Sequence, residues 1–252
     1  MGLIETLLNL APDGRVCDVR VGLHWTAVAV EVNGRRQCGL ASTLTEEHQH
    51  GRGPDVPEAG NLYAFSAKEL AAYALLERLT MCSIGMAALN ALLPDPPEET
   101  MVDINAEEVI ARYGEGKSVA LIGSFPFIPR IKDRVGKLTI LEKNPHAGEL
   151  PAGMASQVLP AADVVALTAM TLVNHTFEGL LKLCSPQAVT LLLGPSTPLH
   201  PAGFEHGLSL LSGSVVTNPD AVLRTLEQGG NFRQLHRAGV RLVTMTSPTL
   251  KI

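Results

Sequence analysis

The chain has 252 residues, of which 46% are hydrophobic and 18% are charged, and its formal net charge is −5. This composition supplies enough apolar side chains for a folded core and excludes an intrinsically disordered chain. Acidic residues outnumber basic ones and the Lys and Arg residues form no cluster, so we expect neither nucleic acid nor a membrane surface as a partner and favour a small-molecule ligand.

The first 15 residues are predicted to form an amphipathic helix. Glu5 and Asn9 interrupt their leucine run, and the stretch lacks the basic residues that open a signal peptide. No apolar run approaches the roughly 20 residues that span a bilayer. The four cysteines are dispersed and form no CxxC pair, which is typical of reduced thiols in a cytosol. We therefore expect a soluble cytoplasmic protein.

An antiparallel meander is predicted next, from extended segments at residues 15–23, 25–32 and 35–41. Asn33 and Gly34 separate the last two segments. This dipeptide is the strongest short hairpin signal, because both residues tolerate the positive φ of a type I′ turn. The open edge of such a hairpin must be covered, so we expect the chain to form a homodimer.

Residues 45–61 contain His48, His50, three glycines and two prolines without periodicity, and are predicted to form a long polar loop. Histidines two residues apart lie on the same side of an extended segment, where they can join Glu46 or Glu47 in a metal site. The alternative is that both imidazoles are solvated. A metal ion is one of two cofactor classes that the sequence leaves open.

Two helices follow this loop. Ser66 and Glu69 have capping-box spacing. Apolar residues then recur with helical periodicity at Ala67, Leu70, Ala71, Ala74 and Leu75. A second helix is predicted over residues 83–93 and ends before the proline-rich stretch 94–99. That stretch is the predicted boundary between a first domain, residues 1–98, and a second domain, residues 99–252.

Short apolar runs dominate the second half, at residues 119–122, 138–141, 164–167 and 189–193, and alternate with helix-length segments. Their hydrophobicity is continuous rather than alternating. This pattern indicates strands covered on both faces, as in a parallel sheet between helices. The predicted fold class is therefore α/β, with a Rossmann-like parallel-sheet domain preceded by a smaller α+β domain.

The residues that follow these runs are the candidate ligand-binding residues, because such sheets bind ligands beyond the carboxyl ends of their strands. Many are Gly, Ser, Thr or Asn, which expose backbone N–H groups or add neutral hydrogen-bonding groups. The candidates are Gly123, Ser124, Phe125, Glu142, Asn144, Thr168, Thr171, Asn174, Thr176, Gly194, Ser196 and Thr197. Since parallel strands end at one edge of a sheet, we expect these residues to converge on a shared pocket.

The spacing of Gly123 and Glu142 hints at a ribose. Glu142 lies 19 residues after Gly123, close to the position from which an acidic residue holds ribose hydroxyls in nucleotide-binding folds. An adenosine-containing ligand is thus the second cofactor class left open. A dinucleotide is disfavoured, because bulky Phe125 and Pro126 follow the single glycine. The alternatives are that Gly123 only makes a turn, that Glu142 is solvated, and that residues 168–176 merely cap a helix.

Six segments carry a resemblance to a known family. They are residues 83–91, 119–125, 141–145, 163–168, 172–176 and 193–199. On these segments the chain resembles an uncharacterised prokaryotic family assigned to heavy-metal chelation, in which an enolase-N-terminal-like domain precedes a Rossmann-like domain. The most specific parts are Leu-Val-Asn-His-Thr at 172–176 and Gly-Pro-Ser-Thr-Pro at 194–198.

The resemblance implies a site at the junction of the two domains, into which Asn90 reaches from the first half. The Rossmann-like half is also similar to methyltransferase-type domains. Three hypotheses stand side by side. The protein binds, with or without transforming it, a small polar or anionic metal-linked molecule of the chelator, pterin or siderophore type; it binds a nucleotide or S-adenosylmethionine; or it binds metal directly. The sequence assigns no catalytic residue.

Overall fold

The computed structural model describes residues 1–46, 53–102 and 104–250. Three strands form an antiparallel sheet in chain order: β1 (Arg15–Val21), β2 (Trp25–Val32) and β3 (Arg35–Ser42). Between β2 and β3, Asn33 and Gly34 have φ angles of 50° and 74°, and Val32 pairs with Arg35. The predicted meander and its hairpin are confirmed.

The described residues of the first half form three α-helices: α1 (Leu3–Leu10), α2 (Ala67–Ala71) and α3 (Leu79–Leu92). Helix α3 is buried almost all round and packs on β2 and β3. Ser66 and Glu69 form the predicted capping box at the start of α2. The chain then continues as a 3₁₀ turn, Ala72–Leu75. Its tighter winding turns Leu75 off the buried face, so this expected core residue is 47% exposed.

The second half forms an eight-stranded sheet in the order β4-β11-β10-β9-β8-β5-β6-β7. The strands are β4 (Met101–Val102), β5 (Ser118–Ile122), β6 (Lys137–Glu142), β7 (Leu150–Pro151), β8 (Val164–Thr168), β9 (Val189–Leu193), β10 (Leu210–Val216) and β11 (Val240–Thr246). Strands β5 to β10 run parallel, and β11 pairs antiparallel with β10 and β4. The four predicted strands are therefore confirmed as neighbours in one sheet.

Helices of the second half are α4 (Ala106–Gly114), α5 (Ile128–Ile131), α6 (Ala155–Val158), α7 (Met170–Val173), α8 (Phe177–Leu181), α9 (Ala202–Glu205), α10 (Pro219–Glu227) and α11 (Phe232–Ala238). On one face of the sheet, Ala120 and Val165 join a core shared with α1 and α3. On the other face, Leu121 and Ala166 pack with the apolar side of α4. Both faces are covered, so the predicted α/β fold class is confirmed.

Helices α10 and α11 cover the face of the meander that α3 leaves open. Leu223 and Leu235 of these helices share a core with Ala29 and Leu40 of the meander. Helices from the C-terminal part of the chain thus complete the packing of the N-terminal meander. The position of the domain boundary stays a prediction. Among the described residues, no helix combines the length and the apolarity that crossing a bilayer requires.

Candidate functional site

A cleft lies at the topological switch point of the eight-stranded sheet. Strands β5 and β8 are neighbours, but the chain continues from β5 to β6 on one side and from β8 to β9 on the other. The loops after β5 and β8 therefore diverge and leave a crevice beyond the carboxyl ends of the strands. We call it the strand-end cleft; its volume is about 640 Å³.

Both halves of the chain line the strand-end cleft. Five of the sequence-predicted residues line it: Ser124, Phe125, Thr168, Gly194 and Ser196. Further side chains in its wall are Trp25, Ser42, Asn105, Glu107, Phe127, Arg130, Ser212 and Phe232. The cleft is thus closed on one side by the meander and by helix α11, which sequence reasoning did not connect with it.

Two aromatic pairs form much of the cleft wall. The rings of Phe125 and Phe127 are stacked, with centroids 5.1 Å apart and planes 11° from parallel. The rings of Trp25 and Phe232 are 5.4 Å apart and inclined by 49°. Aromatic faces of this kind bind flat ligands by offset stacking or edge-to-face contact.

Gly123 shapes the turn that carries Ser124 and Phe125 into the cleft. Its φ angle is +105°, which residues other than glycine rarely adopt. A Cβ at this position would lie 3.0 Å from Cγ2 of Thr168, so the first residue after β5 lies against the last residue of β8. The glycine allows both the turn and the close approach.

An ion pair stands at the rim of the cleft. Nε and Nη2 of Arg130 donate to the two carboxylate oxygens of Glu107 at 2.7 and 2.6 Å. The Arg130 guanidinium holds the pKa of the Glu107 carboxyl below its usual value. Glu107 is therefore an ionised, already paired carboxylate.

The segment after β9 separates the cleft from a second cavity, and we call residues 194–199 the dividing segment. The Ser42 backbone N–H donates to Oγ of Ser196 at 2.8 Å. Asn90 Nδ2 donates to the Leu40 carbonyl at 2.9 Å and to the Ser196 carbonyl at 3.0 Å. The dividing segment is thus tied to β3 and α3 of the first half.

The second cavity has a volume of about 220 Å³, and we call it the β3 cavity. It lies between the first residues of β3, the end of α3, the dividing segment and β10. Two of the sequence-predicted residues, Asn90 and Thr197, line this cavity rather than the strand-end cleft. The structure therefore distributes the expected single pocket over two compartments.

Glu142 and Asn144 do not line either compartment. The Glu142 carboxylate accepts hydrogen bonds from the backbone N–H groups of Ser124 at 2.6 Å and Lys143 at 3.0 Å. It therefore holds the loop after β5 in place. Asn144 is exposed.

Thr171, Asn174 and Thr176 are bonded within their own segment. The Thr171 hydroxyl donates to the Thr168 carbonyl at 2.6 Å, and the Asn174 side-chain oxygen accepts from the Thr176 hydroxyl at 2.6 Å. Helix α7 starts at Met170, close to the expected start at Thr171, but it has only four residues. These three side chains shape the turn after β8 without lining the cleft.

The histidines are scattered. His48 and His50 lie outside the described residues. His175 has a φ of 57°, and its Nε2–H donates to the Leu76 carbonyl at 2.8 Å. His200 Nδ1 accepts from the Ala202 N–H at 3.2 Å, and burial lowers the pKa of the His200 imidazole. His206 bonds to the Thr6 hydroxyl at 2.9 Å.

The residues that the structure describes do not fit direct coordination of a heavy metal. No group of three or more His, Cys, Asp or Glu side chains is placed to hold a metal ion within the described part of the chain. Burial raises the pKa of Cys38 and of Cys82 to about 12 and that of Cys184 to about 11, so these thiols are protonated at neutral pH. Thiolates, not thiols, are the metal ligands.

Sequence reasoning missed Trp25, Ser42 and Phe232 as cleft residues. Each reaches the cleft through a long-range contact, since Trp25 and Ser42 belong to the meander and Phe232 to α11. Reasoning from strand ends finds only residues of the sheet itself. No spacing in the sequence connects these three positions.

Comparisons with known proteins agree with this architecture. The DUF364 family, described as "Putative heavy-metal chelation", matches residues 105–245, and the DUF4213 family, with the same description, matches residues 4–93. An uncharacterized protein of Methanocaldococcus jannaschii is 26% identical over 234 residues, which cover 88% of each chain.

Two solved structures of proteins with unknown function from the DUF364 family are similar to this fold. The protein from Desulfitobacterium hafniense is 26% identical, with a TM-score of 0.81 over 97% of each chain. The protein from Pyrococcus horikoshii is 21% identical, with a TM-score of 0.80 over 97% of this chain and 98% of its own. The second likeness bears on the fold alone.

Proposed function

We propose, from the premise that this chain belongs to the family described as "Putative heavy-metal chelation", that its strand-end cleft binds a small metal-chelating molecule. The ligand is a polar or anionic compound of the chelator, pterin or siderophore type, and the metal is its cargo. One observation carries the proposal: aromatic rings and hydroxyl groups from both halves of the chain line one cleft of about 640 Å³ at the switch point.

The chemistry of the cleft wall favours a chelator over a bare ion. Heavy metals of soft character prefer thiolate and imidazole ligands. The described residues of the wall instead supply hydroxyls, the Asn105 amide, aromatic faces and the paired Glu107 carboxylate. A molecule that already coordinates the metal can use such groups, because it presents a flat organic surface.

The two kinds of groups have separate roles. Phe125 and Trp25 offer faces against which a planar chelator stacks. Ser124, Thr168 and Ser212 line the same cleft with hydroxyl or backbone groups that pair with the polar edge of the ligand. The wall thereby selects for a flat molecule with a polar rim.

A second candidate ligand is an adenosine-containing molecule such as S-adenosylmethionine. The position of the cleft at the switch point favours it, since nucleotides bind there in related folds. The Glu142 carboxylate, however, accepts two backbone N–H groups and does not line the cleft. The hydrogen bonds to a ribose would therefore have to come from other residues, so the aromatic chelator is preferred.

Trp25 makes the proposal testable, because it is the single tryptophan of the chain and lines the cleft. Its fluorescence is to be titrated with 2,3-dihydroxybenzoate, a pterin and 8-hydroxyquinoline, each free and loaded with Fe(III) or Ni(II). S-adenosylmethionine, ATP and the bare metal ions form further arms. We expect at least one chelator to quench Trp25 saturably, and calorimetry to give the same dissociation constant.

Phe125→Leu is the test variant and Phe65→Leu, outside the cleft, is the matched control. Loss of one stacking ring should weaken chelator binding roughly three- to tenfold in the first variant and leave the second unchanged. Saturable quenching by the adenosine compounds alone would replace the chelator by the second candidate. Binding of bare ions with equal affinity in all three proteins would overturn the proposal in favour of direct coordination.

A further inference from the structure

The Arg130 side chain lines the strand-end cleft with part of its hydrogen-bonding capacity unused. A guanidinium group carries five N–H donors in a planar fork. Nε and Nη2 each donate once to the Glu107 carboxylate, at 2.7 and 2.6 Å. The second N–H of Nη2 and both N–H groups of Nη1 have no acceptor among the described residues. The edge of the fork formed by Nη1 and Nη2 is therefore open.

The pair with Glu107 fixes the direction of this open edge. Two parallel hydrogen bonds define the plane of the guanidinium and its rotation within that plane. The Glu107 side chain is only 16% exposed, whereas the Arg130 side chain is 62% exposed and lines the cleft. Glu107 thus orients the guanidinium from below, and a ligand in the cleft can reach the open edge.

Asn105 adds a second donor beside this pair. Its Oδ1 accepts the Glu108 N–H at 2.9 Å and caps α4, so the amide cannot be flipped and Nδ2 points away from the capped N–H. Asn105 is exposed and lines the cleft. It precedes Glu107 by two residues, so their Cα atoms are at most about 7.6 Å apart. We call Asn105, Glu107 and Arg130 the donor corner.

The donor corner is continuous with the stacked rings of Phe125 and Phe127. The Arg130 backbone N–H donates to the Phe127 carbonyl at 2.9 Å, so the guanidinium belongs to the helical turn that follows the second ring. All three side chains line the cleft. A flat ligand that stacks at these rings therefore brings a ring substituent toward the guanidinium.

The unused groups of the donor corner are all hydrogen-bond donors. Both oxygens of Glu107 already accept from Arg130. Of the described residues that line the cleft, Glu107 and Arg130 alone carry charges. The corner is thus suited to an acceptor group of the ligand, and two coplanar oxygens match the open edge of the fork.

We propose that the donor corner binds a carboxylate attached to the ring of the ligand, so that the strand-end cleft selects aromatic carboxylates. This inference rests on the proposed function, which places a flat chelator in the cleft. The open edge of Arg130 donates two parallel hydrogen bonds to the carboxylate, and Nδ2 of Asn105 donates a further one. Arg130 is then the residue that determines specificity, and Glu107 positions it.

A phosphate group matches the donor corner less well. It carries more negative charge than a carboxylate, and the single guanidinium is already shared with Glu107. The Ser124 backbone N–H, at the loop that binds phosphates in related folds, donates to the Glu142 carboxylate at 2.6 Å. This N–H is therefore occupied.

Calorimetry of the full chain with matched probes tests the proposal. The acid 2,3-dihydroxybenzoate is compared with 2,3-dihydroxybenzamide, which keeps the ring and both chelating hydroxyls but lacks the charge. Benzoate and phenyl phosphate are probes without the chelating hydroxyls. We expect the acid to bind at least tenfold more tightly than the amide, and benzoate to bind saturably and more tightly than phenyl phosphate.

Arg130→Gln is the test variant and Arg134→Gln is the matched control. Arg134 forms the same kind of pair with Glu108, at 3.0 and 2.7 Å, but does not line the cleft. Arg130→Gln should weaken the acid roughly tenfold and leave the amide unchanged, a difference that a folding defect would not produce. Arg130→Lys, which keeps the charge without the fork, should fall between. Arg134→Gln should leave both affinities unchanged.

The outcomes separate this inference from the proposed function. Equal affinities for acid and amide, or equal losses of both in Arg130→Gln, would overturn the role of the donor corner and leave a chelator in the cleft. Binding of benzoate without binding of either dihydroxy compound would support the donor corner and count against the chelator. Tighter binding of phenyl phosphate than of benzoate would overturn the carboxylate, and absence of binding by all four probes would overturn both proposals.

Discussion

The strand-end cleft and the β3 cavity share the dividing segment as a wall but differ in the state of their polar groups. In the cleft, the Ser196 hydroxyl accepts a hydrogen bond from the Ser42 backbone. In the cavity, the Thr197 hydroxyl and the Asn90 amide oxygen are unpaired. Two consecutive residues of the dividing segment thus carry a paired hydroxyl at Ser196 and an unpaired hydroxyl at Thr197.

The difference originates in two consecutive residues. Ser196 lines the cleft and Thr197 lines the cavity, so the backbone of the dividing segment carries adjacent side chains to opposite compartments. The segment is held there from three directions, by Ser42, by Asn90 and by the Ser214 hydroxyl, which donates to the Pro195 carbonyl at 2.9 Å. The motif looks like one binding loop in the sequence, but its side chains line two separate compartments.

The largest predicted effect concerns the contact between β3 and α3, which forms one wall of the β3 cavity. A Cβ at Gly39 would lie 2.2 Å from the Ala87 carbonyl oxygen and 2.3 Å from the Ala91 nitrogen. Backbone atoms of a buried helix cannot move aside, so Gly39→Ala should lower the free energy of unfolding by about 3 kcal/mol or more. Urea denaturation followed by circular dichroism measures the change.

Gly153→Ala is the control for this clash. Gly153 does not have a positive φ angle, and a Cβ there would meet no atom within 4 Å. Its substitution should change the free energy of unfolding by less than about 0.5 kcal/mol. Equal midpoints for the two variants would show that β3 and α3 are not in contact as described, and the β3 cavity would lose its wall.

The second prediction concerns the contribution of Asn90 to the anchoring of the dividing segment between the two compartments. Asn90→Leu removes the donor of the Leu40 and Ser196 carbonyls and should cost about 2 kcal/mol, because both buried acceptors lose their partner. The loss of an unpaired amide oxygen offsets part of this cost. Urea denaturation beside exposed Asn144→Ala, which should be neutral, gives the comparison. An equally small effect in both would mean that Asn90 does not anchor the dividing segment.

Much of the strand-end cleft follows from local sequence patterns. The four continuous apolar runs predict buried parallel strands, and the edge at which parallel strands end predicts where Ser124, Thr168 and Ser196 meet. The same reasoning fails for β11, because its exposed Arg241 and Leu242 interrupt the continuous pattern of a buried strand. A continuous apolar run indicates burial on both faces, so this pattern misses a strand such as β11 that is partly exposed.

The β3 cavity could not be predicted, because its features depend on tertiary contacts. Nothing in the order of residues shows that Asn90 donates twice to carbonyls or that Thr197 lacks a partner. Thr197 belongs to the same motif as Ser196, so pattern reasoning assigns both to one pocket. Whether a polar side chain is paired is decided by distant parts of the chain that pack around it.

The smallest predicted effect concerns the protonation of His200, the residue that follows the dividing segment. Burial lowers the pKa of His200, and its Nδ1 accepts from the Ala202 N–H at the start of α9 only while the imidazole is neutral. The stabilisation is therefore complete above pH 6.5, the ordinary value, and is lost as the pH falls through the lower folded-state pKa. Because His200 is only partly buried, solvent screening limits the loss to less than about 1 kcal/mol.

His200→Gln isolates the contribution of His200 protonation to stability, since glutamine keeps an acceptor but does not titrate in this range. The free energy of unfolding of both proteins is to be measured by urea denaturation at pH 7.5 and pH 5. Wild type should lose more stability than the variant between the two values, because its unfolded state binds a proton that the folded state resists. Parallel losses would show that the hydrogen bond at the start of α9 does not depend on a neutral imidazole.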